Sequence, residues 1–306
     1  MHNSLLKLFF TILFAFLSFA ALCQTGAMPG ADDKIDPGEK SSKSDASSSF
    51  KFGITYVSNN VYMGRADTAT TPVLVPQVKY TLKSGLYFSG SLYLIPNKPK
   101  QKLDGEDLAA GYDFDITDDF SGGASFTKLF YSTSSTQIAS SISGTFNVNF
   151  DYDIADIITP TLSADYDLNK QGITNDILIS PAIAHDFITK GVFGDEDVLL
   201  ISPTITANAG TQNFYDAYLT KKNFKSLRLT KLQNTVVANY IDQLGKFELL
   251  DFELSAPMEY KTGHLILQLI PIYAIVQNQL PKGISARLSD QSSIFYLQAG
   301  VSLKFQ

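Results

Sequence analysis

The chain has 306 residues, a net charge of −6, one cysteine and no tryptophan, and only 18% of its residues are charged. So mild an acidic balance excludes a general nucleic-acid binder, and a lone cysteine excludes a disulfide framework. The 15 Tyr and 22 Phe are spread along the chain rather than clustered.

The N-terminus reads MHNSLLKLFFTILFAFLSFAALCQ, with Lys7 ahead of an apolar run from Leu8 to Leu22. The run is too short for a transmembrane helix and reads as a secretory signal peptide over 1–23. Cleavage after Cys23 removes the only cysteine and, with Lys7, one positive charge. Lipidation of Cys23 is the alternative, which the bulky Leu22 before it fits poorly. Residues 24–49 are rich in Gly, Pro, Ser and charge without apolar periodicity, the composition of a flexible polar linker.

From Phe50 to Gln306 the dominant pattern has period two, the mark of strands with two unlike faces. Twelve segments carry it: 50–62, 73–82, 86–96, 106–117, 120–131, 137–152, 157–168, 176–188, 197–209, 247–260, 264–277 and 292–305. In FELLDFELSAPMEY, for example, Leu250, Phe252, Leu254, Ala256, Met258 and Tyr260 alternate with Asp251, Glu253, Ser255, Pro257 and Glu259. The connections alternate long and short, with GRADTATT before KSG, NKPKQKLDG before DD, and KTG before NQLPKGISARLSDQS. Hydrocarbon offers backbone amides no partner, so a membrane-spanning sheet has to close on itself. Export, strands of about ten residues and an even count predict an all-β fold, a single closed antiparallel transmembrane barrel. Twelve strands are expected, with ten or fourteen as alternatives. A soluble β-sandwich also alternates faces, but its connections have no reason to sort by parity.

Pro160, Pro181 and Pro203 fall on three successive predicted strands, each flanked by aliphatics on the same face. Proline cannot donate to a ladder, and equal spacing about the turns predicts that the three form one level, outward-facing row.

The final segment, SIFYLQAGVSLKFQ, alternates Phe295, Leu297, Ala299, Val301, Leu303 and Phe305 with polar or small residues. It resembles the C-terminal signal strand of Gram-negative outer-membrane proteins, although Gln306 follows the terminal aromatic. That resemblance implies recognition by the barrel assembly machinery. The first hairpin, with Ser58, Tyr62, Arg65, Pro72, Tyr80, Gly85 and Tyr87, resembles the opening of a group of uncharacterised outer-membrane barrels. Here the order Gly64-Arg65 reverses that group's usual pair, and the resemblance brings no activity with it. Residence in the cell outer membrane, among its lipids and lipopolysaccharide, is the expectation.

A general base needs a group that titrates near neutrality, and beyond the signal the chain has only His185 and His264. Neither sits in a recognisable catalytic motif, so no enzyme, catalytic residue, metal or cofactor is expected. Alternation assigns Asp107, Asp113, Asp115, Asp151, Asp165, Asp167, Asp251 and Glu253 to the lumen, with Lys79 and Lys304 as basic partners. Rings of acidic side chains raise local cation concentration, so these residues predict a narrow, cation-preferring channel or small hydrophilic solute transporter. A closed barrel serving as a surface structural or interaction protein is the alternative, with an outer-membrane hydrolase a distant third.

Residues 210–246 form the longest connection and place six basic residues, Lys221, Lys222, Lys225, Arg228, Lys231 and Lys246, against Asp216 and Asp242. Val237, Ile241 and Leu244 follow a helical spacing, so a partly helical extracellular insertion is expected, with KSLRLTKLQ as an alternating segment. The first five cations are candidates for constricting the lumen or pairing with phosphate oxygens. The oligomeric state is not legible.

Overall fold

A chain with one greasy and one wet face per strand has to hide the apolar face and satisfy both sheet edges, and closure in a membrane does both. The computed structural model describes residues 47–66, 70–98, 102–135, 137–155, 157–170, 172–221, 231–277, 279 and 291–306. The expected signal peptide and nearly all of the expected linker lie outside the described residues.

The strands in chain order are β1 (Ser49–Val57), β2 (Val61–Tyr62), β3 (Arg65–Ala66), β4 (Val73–Thr81), β5 (Leu86–Leu94), β6 (Leu103–Asp115), β7 (Phe120–Tyr131) and β8 (Ile142–Tyr152). They continue with β9 (Thr159–Asn169), β10 (Asp176–Ala184), β11 (Phe187–Lys190), β12 (Val198–Ile201) and β13 (Thr204–Gly210). Two helices follow, α1 (Asn213–Lys221) and α2 (Lys231–Leu244), and then β14 (Glu248–Ser255), β15 (Met258–Thr262), β16 (Leu265–Val276) and β17 (Ser293–Phe305).

Every pairing in the large sheet is antiparallel, and β17 bonds both β1 and β16, which closes the cylinder at twelve staves. Three staves are broken, β10–β11 at His185-Asp186, β12–β13 at Ser202-Pro203 and β14–β15 at Ala256-Pro257. Each break is tied across to a proline carbonyl: His185 N–H donates to Pro203 at 3.2 Å, Ser202 to Pro257 at 2.8 Å and Ala256 to Pro271 at 3.2 Å. Pro203 and Pro257 therefore each interrupt one strand and anchor the break in its neighbour, while Pro271 anchors a break from within the continuous β16. Among the described residues β11 pairs with β12 alone, so this short strand projects from the rim with one edge unbonded.

The outward face carries the apolar side chains, with Phe295 64% exposed and Phe88, Leu108, Ile205 and Phe252 also open. Leu250 departs from the sequence reading. A bulge opposite Asn208/Ala209 inserts it as the extra residue, so it turns inward beside Asp251 and is 1% exposed. A bulge breaks strict alternation locally, and periodicity cannot foresee one.

The prolines share an outward face but not a level. Pro181 faces Leu162 and Pro160 faces Ile183, a stagger of two, while Ile183 faces Ile205, which sets Pro203 four residues from Pro181. The expected level row is thus a zigzag, with Pro181 displaced from both of its neighbours in the same direction. Inward polar pairs set the register instead, including Asn147 Nδ2 to Asp165 at 2.6 Å and Ser180 Oγ to Asn208 at 2.7 Å.

Candidate functional site

The interior has two unlike halves, and the longer connections build one of them. β1 stops at Val57, where Ser58 and Leu297 exchange backbone and side-chain hydrogen bonds, and the chain turns inward as the miniature hairpin β2–β3. Its turn is Met63-Gly64, with φ of 49° and 71°. Consecutive positive φ values define the tight turn whose twist suits a hairpin, and glycine is favoured there. Glycine is required at 64 for a second reason, since a Cβ there would lie 2.7 Å from Asp251 Oδ2.

The hairpin presents two polar side chains to the interior. The Tyr62 hydroxyl donates to Asp167 Oδ2 at 2.6 Å, and its ring meets Phe214 edge-on at 4.8 Å between centroids. Burial, and then the neighbouring Asp167 carboxylate, push the Tyr62 phenol well above its ordinary range, so it remains a donor. Arg65, 1% exposed, donates from Nε to Gln212 Oε1 at 2.9 Å and from Nη2 to the Tyr240 hydroxyl at 2.9 Å. Its guanidinium also lies 4.6 Å from the Tyr215 ring centroid, a cation–π contact strengthened by desolvation.

Those partners come from the insertion. Asp176, at the start of β10, accepts from the backbone N–H of Asn213 at 2.7 Å and of Phe214 at 2.9 Å, and from Thr211 Oγ1 at 2.6 Å. A carboxylate on the first free amides of a helix satisfies orphan donors and complements its dipole, so α1 is fixed to the barrel wall. Phe214, Tyr218, Leu219, Tyr240 and Leu244 then join Tyr62 with Leu129, Ile142, Leu178 and Leu250 of the wall in one buried apolar cluster. The short 3-10 helix Ile138–Ser141 adds Ile138 and Ala139 to it. Two further apolar clusters, around Val57 with Tyr296 and around Val73 with Tyr93, complete a dry layer at the long-loop end.

The other half, toward the short turns, stays polar and accessible. Asp113 is 56% exposed at its side chain, Asp115 is exposed, and Asp151 and Asp165 are half-buried. Thr161 Oγ1 donates to Asp151 at 2.6 Å, and Asn147 holds Asp165. Lys79 Nζ lies 4.0 Å from Asp113 Oδ2 and 3.9 Å from the Tyr87 ring centroid. Lys51 faces both Lys304 and Lys79 across the ladder.

The remaining predicted acids belong to the dry layer and its border. Asp107 accepts the Tyr93 hydroxyl, Asp167 those of Tyr62 and Thr145, Asp251 accepts from Asn208 Nδ2 at 2.6 Å, and Glu253 accepts from Tyr296 at 3.0 Å. Lys221 ends α1 and Lys231 begins α2, while Lys222, Lys225 and Arg228 lie outside the described residues. His185 contacts the Ile157 carbonyl and Phe187, and His264 contacts the Lys304 carbonyl and stacks on Phe305, both at the short-turn rim.

A closed cylinder with an apolar outer face leaves one class of solvent for that wall. The fold is that of an outer-membrane β-barrel. Solved structures similar to it include a KdgM porin, at 9% identity and TM-score 0.47, covering 84% of this chain and 99% of that one. A NanC porin matches at 10% identity and TM-score 0.41, again over 84% and 99%. LpxR from Salmonella typhimurium matches at 10% identity and TM-score 0.39, over 83% and 99%. No family model and no curated protein sequence matches the chain.

Sequence periodicity set the acids of this outer-membrane barrel on the interior side but did not divide them between halves. Arg65 and Tyr62 were visible only through the resemblance of the first hairpin. Gln212 and Tyr215 carried no signal, because nothing local distinguishes a solvated loop from one folded into a cylinder. The expected helix near the end of the insertion corresponds to α2, which begins earlier, and α1 was not foreseen.

Proposed function

We propose that this barrel is a narrow outer-membrane channel for small hydrophilic solutes, held closed at its long-loop mouth by the β2–β3 hairpin and the insertion. The observation that supports the reading is the division of the interior. A wet, charged vestibule leads to a dry layer, and connections rather than wall strands contribute that layer's central side chains. Connections are lower-stability elements than barrel strands, so such a layer is suited to withdrawing. Asp113, Asp115, Asp151 and Asp165, set against Lys51, Lys79 and Lys304, give a weak cation preference. The protein is exported to the outer membrane with its long loops outward, among lipids and lipopolysaccharide. Phe305 at the end of β17 offers the terminal aromatic for assembly.

The experiment is planar-bilayer recording on refolded protein, with barrel closure confirmed by heat-modifiable gel mobility. Wild type should be silent or open rarely. Arg65→Ala, which strands the Gln212 and Tyr240 groups, should conduct steadily. Silence from both proteins would favour the second reading, a permanently closed barrel used as a surface structural or interaction protein, for which the continuity of the dry cluster speaks.

A further inference from the structure

Lys304, Lys51 and Lys79 are direct cross-strand partners on the inward face of β17, β1 and β4. Like charges in direct register repel, so a row of three requires compensation. Lys79 has it from Asp113 and the Tyr87 ring, and Lys51 shares a cleft with Glu259, Gln77 and Gln268. Asp113 and Asp115 stand on β6 just before its turn to β7, and Asp151 stands on β8 just before its turn to β9. The end of β17, the start of β1 and the β4–β5 turn lie on the same rim. Three positive side chains therefore occupy one arc of the short-turn mouth. Three negative ones adjoin it, beginning at Asp113 beside Lys79 and extending two to four strands further round from β4.

We propose that this mouth selects zwitterionic solutes, carrying an ammonium and a carboxylate, over ions of either sign; the inference rests on the channel reading above. An ion of either charge is drawn to one arc and repelled by the other, and with Asp165 deeper in the vestibule the balance tips only weakly toward cations. A dipolar solute aligned between the arcs gains at both ends, and the low-dielectric wall focuses that field.

The test is solute influx into proteoliposomes carrying Arg65→Ala. Glycine should enter several-fold faster than its neutral isomer glycolamide, and faster than acetate or methylammonium. Adding Lys51→Gln, Lys79→Gln and Lys304→Gln should bring the glycine-to-glycolamide ratio to about one, with methylammonium overtaking acetate. A parallel variant, Asp113→Asn with Asp115→Asn, should shift the balance toward acetate and covers the case in which the triple lysine variant fails to fold. Influx with an unchanged glycine-to-glycolamide ratio in these variants overturns the inference while leaving the channel intact. No influx of any solute removes the channel and the inference together.

Discussion

Two residues carry more than their surroundings suggest. Gly64 sits at positive φ against the Asp251 carboxylate. Gly64→Ala adds about 1–2 kcal/mol of backbone strain as well as a clash, so the hairpin should leave its seat. Trypsin should then cut after Arg65 in the folded variant and spare wild type; equal protection would show that the hairpin tolerates the methyl group. Asp197, in the turn before β12, accepts from the amides of Val192 at 2.6 Å, Phe193 at 2.8 Å and Gly194 at 2.8 Å, and from Tyr260 at 2.7 Å. Burial raises its pKa, but the Tyr260 hydroxyl and the three amides outweigh burial and hold the carboxyl below its ordinary range. A depressed folded-state pKa contributes stability above the unfolded value of about 4, and that stability is lost as pH falls through the folded value. Asp197→Asn should therefore loosen the turn at pH 6, seen as faster amide exchange at Val192–Gly194, and the difference from wild type should vanish toward low pH. A difference independent of pH would sink the account.

At the scale of elements, the wall strands and the connections obey different rules. Strand positions were legible because each span needs alternation over its whole length, and the observed twelve staves follow the expected segments except at two ends, where 58–62 leaves the wall toward the inward hairpin and 138–141 is a 3-10 helix. Register was less so. The three prolines hinted at a level row, but Asn147, Asp165, Ser180 and Asn208 decide the alignment from the inside, and their partners are not neighbours in sequence. The helices are least legible, since α1 depends on Asp176, a strand residue 37 positions before the Asn213 amide it accepts. Replacing that carboxylate tests the dependence. Asp176→Ala should cost about 1–2 kcal/mol as a lost cap, lowering the urea midpoint in micelles and freeing α1 to exchange before the barrel does. If α1 exchanges with the barrel as one unit in both proteins, the cap is dispensable.

For the molecule as a whole, the described helices are none of them long and apolar enough to cross a membrane, and the crossing falls to the strands. Two solvents then meet on one wall. The strand β11, which among the described residues is bonded on one side only, sets where they meet. An unsatisfied backbone edge cannot rest in hydrocarbon, so Phe187–Lys190 and the neighbouring Asp197 turn stand in water. The bilayer ends at or above the His185-Asp186 break. That break is a depth mark on the protein: it fixes how low the cylinder can sink, and with it how far the charged mouth stands clear of the lipid headgroups.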